Sequence, residues 1–194
     1  MKLVERFLIE LARAWDREEQ PRLQVLGSTA LMLQTDFVRA TKDSDVLRTL
    51  ALDGEVAERL LALAGPSTPL ARRWSIYLEL VPNGLPFLPR VPVWHAVPLA
   101  GAPTTLSIEA LDVVDVVVSK LKRFSANDRS DIEAMVARGL VPHDRLLKRF
   151  VDAVDVFTAD ARASDLPRYV ENLHEIERDA FGVDESEIEL PEWV

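Results

Sequence analysis

Two aspartates, Asp43 and Asp45, stand one residue apart in Asp43-Ser44-Asp45-Val46-Leu47, a run that reads as the start of a strand. Alternate residues of a strand point the same way, so both carboxylates project to one side. Like charges that close are costly unless a cation neutralises them, and the pair can hold one or two divalent ions, Mg2+ or Mn2+. Upstream lies Leu26-Gly27-Ser28. A glycine lets the backbone approach a ligand, and Ser28 offers a hydroxyl and an amide at a helix start, a favourable place for phosphate. The chemistry these residues point to is metal-assisted reaction of a phosphate-bearing substrate.

Composition narrows the alternatives. There is no cysteine, so a thiol nucleophile, a cysteine zinc site and a disulfide framework are excluded. The three histidines, His95, His143 and His174, are far apart in sequence, which argues against a His-rich metal centre. His95, beside Trp94, reads as a structural strand residue. The seven glycines are never closer than eleven residues, from Gly54 to Gly65. That leaves no G-x-G-x-x-G, no Walker A loop and no G-x-S-x-G elbow.

The elements that must position the aspartates follow from hydrophobic period. Leu3, Phe7, Leu8, Leu11 and Trp15 share one helical face over 3–17. Leu23–Leu26 is a short strand, and Ser28 caps a helical turn over Thr29–Gln34. Residues 54–64 return to helix. Trp74–Val81 alternates as a strand, with Ile76, Leu78 and Leu80 on one face and Tyr77 and Glu79 on the other. The proline-rich stretch 82–103 is loop with one strand, Val93–Val97, and Thr104–Ile108 is a further strand. Beyond residue 109 the period becomes helical: 111–124, a helix opened by a Ser130-x-x-Glu133 capping box, 147–157 and 166–181. The fold class is α/β (α+β), with a domain over 1–109 followed by a helical region over 110–194 that ends in an acidic tail.

The same residues carry a family resemblance. Leu26-Gly27-Ser28 followed by Asp43-Ser44-Asp45 resembles the signature of nucleotidyltransferases of the polymerase-beta type. Arg39-x-Thr41-x-Asp43-x-Asp45 is similar to the run in AbiEii-like toxins and related bacterial nucleotidyltransferase-like families. Lys120, then Asp128 and Asp131, resembles their second block, so the likeness covers roughly 23–135.

The resemblance implies a nucleotidyltransferase-like mixed sheet with flanking helices. It implies transfer of a nucleoside monophosphate from a nucleoside triphosphate to the hydroxyl of an RNA or protein acceptor. Asp43 and Asp45 would hold the metal with a third carboxylate, for which Glu79 is the best match; its other reading is a strand residue facing solvent. Gly27 and Ser28 would contact phosphates. Lys120 would neutralise triphosphate charge or cover apolar surface with its stem. Arg39 and Thr41 would touch the nucleotide or stabilise their loop. The family context suggests the toxin-like member of a pair with a cognate antitoxin protein. The alternative is a degenerate fold used as a binding or antitoxin-like module.

Charge separates the two halves. Residues 151–194 carry a net −10 and residues 1–150 a net +1. The acidic end is either a solvated helical face or a contact for a protein partner, and it repels nucleic acid. A phosphate-bearing acceptor is expected to approach near Arg39, Lys42 and Arg48. If the tail Asp184–Val194 docks, Ile188, Leu190 and Trp193 are the residues to do it. No apolar run approaches the roughly 18 residues of a membrane helix, and the charged N-terminus is unlike a signal peptide. No membrane partner and a cytoplasmic location are expected.

Overall fold

Helix α1 (Leu3–Ala14) forms where the apolar spacing predicts, burying Val4, Phe7, Leu8 and Leu11, while Leu3 stays exposed. It belongs to the first of two compact units in the computed structural model, which describes residues 1–52 and 54–190. This unit comprises Met1–Leu85 and Trp94–Leu111. Its strands are β1 (Arg22–Val25), β2 (Asp43–Arg48), β3 (Tyr77–Pro82), β4 (Trp94–Ala96) and β5 (Ser107–Leu111). They form one mixed sheet in the order β3-β2-β1-β5-β4. Strand β1 runs antiparallel to β2 and parallel to β5, β2 runs parallel to β3, and β4 runs antiparallel to β5. Leu23, Val25, Val46, Leu78 and Ala110 supply a buried face.

Three helices complete this unit: α2 (Gly27–Gln34), α3 (Gly54–Ala64) and α4 (Pro69–Trp74). Helix α2 begins at Gly27 itself, with Leu26 at its cap and no side-chain cap bond, so Ser28 lies in its first turn rather than before it. Helix α4 occupies the start of the run read as a strand from Trp74. Thr68 caps it by accepting from the Ala71 amide at 3.2 Å, Pro69 fits its first turn, and Ser75 ends it at φ 54°. That local punctuation outweighs the alternation, and the strand begins only at Tyr77.

The second unit comprises Pro86–Val93 and the chain from Asp112 onward. Helices α5 (Val113–Arg123), α6 (Ala126–Ala137), α7 (His143–Phe157) and α8 (Leu166–Ile176) build it. Helix α8 runs into a π-helical turn, Glu177–Phe181, which Gly182 ends at φ 66°. The proline-rich segment is anchored here. Phe87 is fully buried, with its ring centroid 5.4 Å from Phe150, 5.0 Å from Phe157 and 5.1 Å from Tyr169. Such edge-on aromatic packing adds to the burial of the rings.

One expectation for this unit is corrected. Helix α6 starts five residues earlier than the Ser130 box implies. Ser125 caps it, accepting from the Asp128 amide while the Asp128 carboxylate accepts from the Ser125 amide at 3.2 Å. Glu133 instead pairs with Arg129. The chain after Gly182 is held at Ser186. The Ser186 amide and hydroxyl donate to the buried Glu177 carboxylate at 3.0 and 2.5 Å, and the His174 ring meets the Ser186 carbonyl at 3.0 Å. Ile188 and Leu190 are half-buried; Trp193 lies outside the described residues.

Candidate metal centre

Strand β2 aligns Asp43 and Asp45 on one face because Ser44 between them turns to the other. The parallel pairing with β3 sets Asp43 opposite Tyr77 and Asp45 opposite Glu79. A one-residue slip would move Glu79 to the opposite face. In this register one carboxylate oxygen from each of Asp43, Asp45 and Glu79 lies within 4.8 Å of the others. Opposed oxygens on one Ca2+ lie up to about 5 Å apart and on one Mg2+ up to about 4.2 Å, so a cluster of this size closes on one such ion with little or no side-chain movement. The donor set, three carboxylates and no nitrogen or sulfur, suits a hard divalent cation. Glu79 is therefore brought to the aspartates, with its carboxylate on their side of the sheet.

Gly27 is part of the same construction. Its φ is 59°, and a Cβ built there would sit 2.8 Å from Asp45 Oδ2. The Leu26 amide donates to the Asp45 carbonyl at 2.8 Å, fastening the turn to the strand. Glycine is needed both for the left-handed backbone and for the close approach of the carboxylate. Ser28 follows in the first turn of α2, half-buried.

Thr41 acts on Asp43. Its hydroxyl lies 2.9 Å from Asp43 Oδ1 and 3.0 Å from the Asp43 carbonyl, so its one proton serves either acceptor. The Thr29 hydroxyl reaches the same carbonyl at 3.4 Å. Arg39, half-buried in the preceding loop, places Nε 3.4 Å from the Ala40 carbonyl.

Tyr77 belongs to the site, although the sequence marks it only by its shared face with Glu79. Burial, then the negative charges of Asp43, Glu79 and Asp45, push its hydroxyl above the ordinary tyrosine value, so it stays protonated. Ser44 is fully buried, and its Oγ has no hydrogen-bond partner among the described residues.

Lys120 lies in the second unit and is nearly fully buried. Its Nζ is 2.9 Å from Asp128 and 2.8 Å from Asp131. The lysine and aspartates of the second sequence block thus come together as a buried ion-pair cluster. Arg123 also binds Asp128, at 2.7 Å. Burial raises the Asp128 pKa, but Arg123, Lys120 and Ser125 outweigh it and hold the carboxyl far below the usual range.

A mixed sheet that gathers an Asp-x-Asp strand, a parallel neighbour's glutamate and a Gly-Ser turn packed on one aspartate defines a nucleotidyltransferase-like protein. Residues 6–179 match the family described as nucleotidyltransferase of unknown function (DUF6036), and the chain belongs to that family. The match runs through both units, well beyond the 23–135 of the motif resemblance. Comparison with curated proteins and with solved structures gives no match. No helix among the described residues is long and apolar enough to cross a membrane.

Proposed function

We propose that the protein is a divalent-metal-dependent nucleotidyltransferase that moves a nucleoside monophosphate from a nucleoside triphosphate to an acceptor hydroxyl. The observation that carries this reading is the convergence of Asp43, Asp45 and Glu79 within 4.8 Å, with Gly27 abutting Asp45. When bound, Mg2+ or Mn2+ would draw charge from the triphosphate and lower the pKa of the attacking hydroxyl. The three carboxylates would hold it, Thr41 would orient Asp43, and Gly27 and Ser28 would present main-chain and hydroxyl groups to phosphate oxygens. Arg39 is the cation assigned to the nucleotide on the motif resemblance; Lys120 is held in its buried pairs with Asp128 and Asp131.

The test is transfer of label from an α-labelled nucleoside triphosphate, with Mg2+ or Mn2+, to RNA and to polypeptide acceptors. Wild type transfers label and Asp45→Asn does not, while both show the same circular dichroism. Label transfer by the folded Asp45→Asn variant at the wild-type rate contradicts the assignment. A toxin-like role, supported by the Arg39-x-Thr41-x-Asp43-x-Asp45 likeness, predicts that expression arrests growth and that Asp45→Asn abolishes the arrest.

A further inference from the structure

Gly182 turns the chain at φ 66°, and Glu185 and Ser186 come to lie against His174 of α8. The His174 ring meets an acceptor at each nitrogen. Nε2 is 3.0 Å from the Ser186 carbonyl, and Nδ1 is 3.5 Å from the Glu185 carboxylate. Neither a carbonyl nor an ionised carboxylate has a proton to give. A neutral imidazole carries a single N–H, so it serves one of the two and turns a lone pair toward the other. The imidazolium has an N–H for each. A second anchor sits beside the first. The fully buried Glu177 carboxylate accepts from the Ser186 amide and hydroxyl and lies 2.8 Å from His143 Nε2.

We propose that residues 183–190 form a pH-gated strap, closed onto α8 by the imidazolium of His174 and loosened as that ring loses its proton. Histidine charge is present below the range in which the ring titrates, about pH 5–8, and is lost as pH rises through it. Whichever bond the neutral ring keeps, it gives up the other. Glu177 sets the acid end, because its carboxylate accepts from Ser186 only while ionised. The strap is therefore closed between the titration of that carboxylate and the titration of the histidine. Release withdraws both Ser186 donors from Glu177 and leaves it with His143.

Charge on the strap calls for a cation beneath it. Residues 183–190 carry four carboxylates, Asp184, Glu185, Glu187 and Glu189, and no lysine or arginine. Arg178 of the π-helical turn also pairs with Glu185 and keeps that carboxylate beside the ring. The other charged groups on neighbouring elements are engaged elsewhere. His143 of α7 faces Glu177 and the Phe181 ring. On α6, Arg129 binds Glu133, Glu175 and Asp179. On α5, Lys120 and Arg123 bind Asp128, and Lys122 lies over the Phe157 ring. His174 is thus the group whose change of charge acts directly on the strap.

The sequence has no cysteine, so Glu187→Cys in the full chain takes one spin label on the exposed side of the strap. Label mobility is read from about pH 5.5 to about pH 8.5, a range that spans histidine titration. The nitrogen-15 signals of the His174 ring are followed in parallel. The expected result is an ordered label at the acid end and a mobile fraction that grows about two- to fivefold, a size suited to a part-exposed ion pair. The growth should keep step with loss of the ring proton. In His174→Gln, whose amide keeps a donor for the Ser186 carbonyl but takes no charge, the step should vanish. Glu185→Gln removes the carboxylate from an exposed position and should abolish the step as well, without touching a residue of the core. A label equally ordered or equally mobile at both ends of the range overturns the proposal, and so does a step that survives in either variant.

Discussion

Gly27 and Ser44 bracket what single residues contribute to the site. Gly27→Ala puts a methyl group 2.8 Å from Asp45 Oδ2 and forces an L side chain into φ 59°. The left-handed backbone alone costs about 1 kcal/mol or more, and the contact displaces the carboxylate. The expected outcome is a fall in Mg2+ affinity of about tenfold or more by calorimetry, with the far-ultraviolet circular dichroism retained. Unchanged affinity would separate the glycine from the metal centre. Ser44 behaves oppositely. A buried hydroxyl without a partner costs about 1–3 kcal/mol, and Ser44→Ala removes it while leaving a cavity smaller than a methyl group. Thermal denaturation should show Ser44→Ala at least as stable as wild type; a clear loss of stability would reveal a hidden partner. The aspartates and the glycine were legible in sequence because spacing alone encodes them. Tyr77 was not, because its place depends on which strand pairs with β2 and in which register.

At the scale of elements, short-range punctuation and long-range partners decide what hydrophobic period leaves open. Helix α4 was hidden because six residues give too little period to read, and only Thr68, Pro69 and Ser75 mark its ends. The start of α6 was misplaced because two serines, Ser125 and Ser130, each precede an acidic residue by three positions. Ser125 wins because Asp128 also closes the buried cluster with Lys120. Breaking that cluster leaves charge stranded in the interior, which typically costs about 3–5 kcal/mol. Lys120→Met should therefore lower the urea midpoint strongly, whether or not the lysine also meets a nucleotide. A near wild-type midpoint would contradict a structural role.

The tail contact is likewise an element-scale device. Burial raises the Glu177 pKa, but the Ser186 hydroxyl, the Ser186 amide and His143 outweigh it and hold the carboxyl below its ordinary 4.5. A lowered folded pKa means the contact stabilises above the unfolded value and is lost as pH falls through the folded one. Protection of the Ser186 amide against exchange, corrected for the intrinsic rate at each pH, should fall on acidification below about pH 4.5. In Glu177→Gln that acid-dependent step should vanish; its persistence would assign the step to another group.

Across the whole molecule, the succession of an α/β segment and then helices made the fold class legible, and the mixed five-stranded sheet agrees with it. The anchoring of Pro86–Val93 in the helical unit was not legible. Phe87 is buried by Phe150, Phe157 and Tyr169, all more than sixty residues away in sequence. The acidity of 151–194 is partly consumed within its own unit: Glu175 and Asp179 pair with Arg129, Asp160 with Arg162, and Glu185 with Arg178.

The central claim is that Asp43, Asp45 and Glu79 form one divalent-metal site. Its most direct measurement is Mn2+ titration followed by the paramagnetic broadening of nearby amides, in wild type and in Asp43→Asn, Asp45→Asn and Glu79→Gln. The account predicts broadening centred on β2 and β3 in wild type and affinity lowered by each substitution, including the glutamate from the neighbouring strand. Broadening centred elsewhere, or Glu79→Gln binding Mn2+ as tightly as wild type, would contradict it.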